Sequence, residues 1–95
     1  MNAPKVTPES IEAKIKSVNC AVLPDSTVTV CRIVMQNGYS VIGTSACAHP
    51  DNFDENVGKR LAREDAVRKI WPLEGYLLRQ RLHEAEAIEI TEDRS

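Results

Sequence analysis

The sequence is poor in the residue types that most often carry chemistry. It holds two histidines, His49 and His83, and three cysteines, Cys20, Cys31 and Cys47, with no C-x-x-C pair among them. An odd cysteine count without paired spacing argues against a disulfide framework and a zinc knuckle, and neither histidine has a metal-type spacing. The cysteines are therefore expected to be small, inert core residues in a reducing cytoplasm, with no metal and no cofactor. Aromatic residues are scarce: Tyr39, Phe53, Trp71 and Tyr76 form no stacking surface along the strands. The formal charge of −2 gives the chain no general attraction to nucleic acid or anionic membrane. No positively charged, apolar leader opens the sequence and no run approaches the length of a bilayer span, so no membrane partner is expected.

Catalytic motifs are missing as well. Val57-Gly58-Lys59-Arg60 lacks the first glycine, the spacing and the Ser/Thr of a phosphate-binding loop. Cys47 lies two residues before His49, but neither an orienting third group nor an oxyanion site is readable around them. Asp51, Asp54 and Glu55 are explained by the positive end of a helix rather than by acid–base work. No enzyme is expected.

What is present describes one small α+β domain over residues 1–95, with 1–6 and 84–95 as loose termini. A chain of 95 residues buries only a modest core and tends to lean on a partner subunit. "TPESIEAKIKSV" opens with a start signal: Thr7 to cap, Pro8 for the first helical position, Glu9 at the positive end of the dipole. Ile11, Ile15 and Val18 follow at helical spacing, predicting a helix over 8–18. After a turn at Pro24–Asp25, Asn37-Gly38 between β-branched runs predicts a hairpin with a two-residue loop. That loop sets Val34 opposite Val41, Arg32 opposite Gly43 and Val30 opposite Ser45. Both faces of the hairpin are then largely apolar. One needs a cover from outside the protomer, through a homodimer or larger ring, unless the two helices clasp both faces.

A long C-terminal helix follows, capped at Asn52. Phe53, Val57, Leu61, Val67 and Trp71 form its main apolar stripe, and Ala62, Ala66 and Ile70 a weaker one. Pro72 cannot donate to the carbonyl of Arg68, so a bend at Trp71–Pro72 is expected, with Pro72 starting a further helical segment. The architecture expected is α-β-β-α. Gly75 costs helix stability unless a backbone or a ligand comes close, and such an approach is expected there.

Between residues 59 and 81 stand seven basic and three acidic residues, a local positive excess inside an acidic chain. Lys59, Arg60 and Arg63 are candidates for meeting a phosphate or an acidic protein surface, against the plainer reading of a solvated helix face with ordinary ion pairs. Arg32, which interrupts an apolar strand face, and Trp71, a large amphipathic surface beside the bend, complete the set of binding candidates.

The segments "TPESIEAKI", "TVTVC", "NGYSVIGTSAC" and "NFDENVGKRLAREDAVRKIWPLEGYLL" resemble a family of small tailed-bacteriophage proteins. Its type members are the gene 49 product of a coliphage and the gene 66 product of a Shigella phage. The likeness runs from about Thr7 to Leu82, and "GKRLARE…KIWPLEGYLL" is its most specific part. The resemblance implies a phage accessory protein in the host bacterial cytoplasm. No catalytic residue carries over. In that setting a binding role is expected, as an inhibitor of a bacterial immune component that engages a host protein or a phosphate-bearing small molecule. The alternative is an accessory nucleic-acid factor of phage replication or recombination.

Overall fold

Thr7 does what its position predicts. Its hydroxyl accepts the Ser10 N–H while the Ser10 hydroxyl accepts the Thr7 N–H, a reciprocal cap on α1 (Pro8–Ala13). The helix is shorter than its apolar spacing suggests. It stops at the Lys14 cap, and Ile15–Val22 forms a strand, β1, paired antiparallel with β2 (Val28–Met35). β2 pairs in turn with β3 (Ser40–Ala46), and after a short 3-10 turn at Pro50–Asn52 the chain enters α2 (Glu55–Arg94). The computed structural model describes residues 3–94, with side chains described through residue 86. The class is α+β, as expected, with a three-stranded sheet in the order β1-β2-β3 where a hairpin is predicted.

The hairpin closes through a three-residue loop. Gly38 donates its N–H to the Met35 carbonyl, and Met35 donates to the Tyr39 carbonyl. Gly38 takes φ +90, whereas Asn37 is not among the residues of positive φ, so the two-residue turn is replaced by a tight turn followed by a left-handed glycine. Register slips by one, which moves every side chain of one strand across the sheet. Ile33 faces Val41, Cys31 faces Gly43 and Arg32 faces Ile42, correcting the pairings drawn from the two-residue loop.

This slip sorts the faces. Thr29, Cys31, Ile33, Met35, Val41 and Gly43 are buried beneath the helices, while Val28, Val30, Arg32, Val34 and Ile42 face away. Both helices lie on the same side. Ile11 of α1 joins Ile33, Met35, Val41, Ala66 and Ile70 in the core, so no helix clasps the second face. Each fully buried isoleucine here contributes about 1.5–3 kcal/mol. Cys20 and Cys31, directly opposed on β1 and β2, are joined as a disulfide, correcting the expectation of inert thiols; strand pairing brings together what sequence spacing keeps apart. Cys47 is the free cysteine.

α2 lies over β3 and β2 and barely reaches β1. Its buried stripe is Gly58, Ala62, Ala66 and Ile70; Val57, Leu61 and Trp71 are exposed, reversing the predicted ranking of its two faces. Small residues win because the helix comes so near the sheet. A Cβ on Gly43 would meet the Ala62 carbonyl and the Ala66 N–H and methyl. The cap is Asp54 rather than Asn52, its carboxylate accepting the N–H groups of Asn56 and Val57 at 2.9 and 3.2 Å. The helix continues through Pro72 as one element. Arg68 and Pro72 are both exposed, so the carbonyl that loses its partner can turn to water.

Candidate binding groove

An eight-residue strand spans about 26 Å, the length of about 17 helical residues, so a 40-residue helix laid along such a sheet must overshoot it. Ile70 is the last α2 residue buried by the sheet. Beyond it the same stripe continues as Leu73 and Leu77, exposed at 44% and 36%, with no strand beneath them. The overhang and the β2–β3 turn enclose an open groove of about 560 Å³. Leu73, Leu77 and Tyr76 form the helical wall, Met35 and Tyr39 the opposite one, and Lys14 contributes from the end of α1. Lys14 Nζ ion-pairs with Glu74 across 60 residues of sequence, tying the start of the overhang to the fold. Arg81 marks the outer end, and Tyr76 is 74% exposed.

The candidate basic residues do not assemble into an anion site. Lys59 pairs with Glu55 at 3.4 Å, Arg60 with Glu64 at 3.4 Å, and Arg63 with Glu12 of α1 at 2.8 Å. Arg68 and Lys69 share Asp65. Asp65 also accepts the Thr44 N–H at 2.9 Å, which with the two cations holds its carboxyl below its ordinary value. Arg32 stands on the opposite face of the sheet from α2, exposed between Asn19 and Ile42. Trp71 is 37% exposed on α2, one turn beyond the half-buried Val67. Gly75 has open space where a Cβ would stand, so no other part of the described chain comes close to it; the glycines approached closely are Gly43 and Gly58.

A second, smaller concavity of about 270 Å³ lies at the start of α2, lined by Cys47, Phe53, Val57 and Leu61 among others. Cys47 and His49 are not oriented as nucleophile and base. The thiol donates to the His49 carbonyl at 3.2 Å, and the imidazole Nδ1 accepts the Asp51 N–H at 3.1 Å as the cap of the 3-10 turn. Among the described residues no group of His, Cys, Asp and Glu side chains is placed to hold a metal ion. No helix is long and apolar enough to cross a membrane among those residues.

The groove escapes a reading of the sequence because its helical wall is a continuation of the core stripe. Gly58, Ala62, Ala66, Ile70, Leu73 and Leu77 recur at steps of three and four, and only the length of the strands shows that the last two are left uncovered.

The family model of the phage protein (N4 Gp49/phage Sf6 gene 66) family matches residues 6–82. The chain belongs to this family. Neither a curated protein nor a solved structure matches it. The matched span takes in α1, the whole sheet, and α2 through both leucines of the groove.

Proposed function

We propose that this phage protein acts by binding rather than by catalysis, as an inhibitor of a bacterial immune component, and that it meets a host protein surface through the groove beneath the overhanging half of α2. One observation carries the reading. Leu73 and Leu77 continue the buried stripe of α2 into solvent, opposite Met35 and Tyr39, with Tyr76 largely exposed beside them. A soluble domain gains nothing from presenting such a row to water unless a partner covers it. Tyrosine is among the residues enriched where protein interfaces concentrate their binding energy. A helix or strand of the target fits an open apolar groove of this kind.

The paired state of Lys59, Arg60 and Arg63 favours a protein surface over a nucleotide signal, because each cation would have to leave a carboxylate to meet a phosphate. The family supplies the phage setting.

The test is plating of phage with and without the gene on host strains that each carry one defined immune system. The reading predicts that deletion lowers plating on at least one such strain and leaves plating on the defence-free parent unchanged. Equal plating on every strain would overturn it.

A further inference from the structure

The two edges of the sheet are treated differently. Residues of β3 with odd numbers bond to β2, as the Met35 N–H to Tyr39 carbonyl bond and the register require, so Ile42 and Thr44 turn their backbone groups outward. Both are met from α2: Lys69 Nζ donates to the Ile42 carbonyl at 2.8 Å, and Asp65 accepts the Thr44 N–H. This edge is occupied by side chains of the same chain and is closed to a further strand.

The β1 edge has no such cover. The Leu23 N–H to Val28 carbonyl bond sets the odd residues of β1 toward β2, leaving the N–H and C=O groups of Val18, Cys20 and Val22 directed outward. No hydrogen bond reaches them among the described residues. Nothing polar protects the edge on the helix side either: Val18, Cys20 and Val22 are all half-buried there, where α2 barely reaches. The one irregularity, a bulge between Ile15 and Ser17, lies at the start of the strand and leaves 18–22 straight.

We infer that β1 pairs antiparallel with β1 of a second copy, about a two-fold axis at Cys20, to give a continuous six-stranded sheet. The sequence of the edge is self-complementary in this register. Val18 of each copy comes opposite Val22 of the other, and Lys16 comes opposite the Pro24–Asp25 turn, setting a cation against an exposed carboxylate at both ends. None of the groove-lining residues lies on the paired segment, so each dimer would carry two grooves.

The experiment combines sizing with hydrogen exchange on the intact protein. Equilibrium sedimentation is expected to give twice the chain mass, with the amides of Val18, Cys20 and Val22 slowed by about a hundredfold or more relative to unpaired amides and speeding up on dilution. The Val18→Pro variant removes an outward N–H that bonds to nothing within the protomer, so it should sediment as a monomer with unchanged circular dichroism. Should that variant fail to fold, exchange in the natural chain decides alone. A monomer at all concentrations overturns the inference. A dimer whose β1 amides exchange freely overturns it equally, by placing the interface elsewhere.

Discussion

The carboxylate of Asp65 on α2 accepts the backbone N–H of Thr44 on β3 at 2.9 Å, so a helix side chain does for this strand what a further strand would do. Lys69 and Arg68 stand beside the same carboxylate at 3.5 and 3.3 Å. The bond and the two cations favour the ionised form, and the Asp65 carboxyl is held below its ordinary value. A group whose pKa is lower folded than unfolded contributes stability that is fully present above its unfolded value, about pH 4, and is lost as pH falls through the folded one. The natural protein should therefore lose stability in acid more steeply than Asp65→Ala, with the difference between the two curves shrinking as pH falls through the folded-state value. Chemical denaturation at a series of pH values measures the difference. Parallel curves would show that Asp65 is not linked to folding.

Gly43 and Gly75 make a matched pair of substitutions with opposite signs. A methyl group at Gly43 would run into the Ala62 carbonyl and the Ala66 backbone nitrogen, neither of which can move without displacing α2. Gly43→Ala is expected to destabilise by about 3 kcal/mol or to prevent folding. At Gly75, where nothing stands within 4 Å of the added carbon, Gly75→Ala should stabilise by about 1 kcal/mol through helix propensity alone. Thermal denaturation of the two variants reads both. A destabilising Gly75→Ala would point to a close neighbour in solution, such as a bound partner.

The hydroxyl of Thr29 is fully buried and finds no hydrogen-bond partner among the described residues, beside the backbone of Gly58. A buried polar group left unpaired costs about 1–3 kcal/mol, and its removal with the shape retained recovers part of that. Thr29→Val should be neutral or stabilising by about 1 kcal/mol, against the usual cost of changing a core residue. A melting temperature lowered by several degrees would mean that the hydroxyl is satisfied, by water or otherwise.

How much of the fold is legible in the sequence depends on the element. Thr7, Pro8 and Ser10 mark the start of α1 by chemistry that acts within four residues, and the cap forms as its sequence says. The end of α1 is invisible locally. Ile11, Ile15 and Val18 keep helical spacing, but pairing of Ile15–Val22 with β2 overrides it and makes a strand of the segment. Asn37-Gly38 marks the hairpin but not its register, because one left-handed residue rather than two decides the loop. On α2 the larger side chains point a pattern reading to one face, while the tight approach at Gly43 admits only the small residues of the other. Of the candidate binding residues, Lys59, Arg60 and Arg63 stand where helical spacing puts them, but Glu12, the partner of Arg63, lies 51 residues away. The groove depends on the mismatch between helix length and strand length, a quantity no local window contains.

The decisive measurement is complementation of a gene-deleted phage on the strain whose immune system exposes the deletion. The natural gene and a Lys59→Ala/Arg63→Ala variant should both restore plating, because those cations are engaged with carboxylates. A Leu73→Asp/Leu77→Asp variant, altered only at exposed positions and checked for unchanged circular dichroism, should plate as poorly as the deletion. The reverse pattern, with the leucine variant active and the cation variant dead, would contradict the groove as the binding surface and return the site to the basic strip of α2.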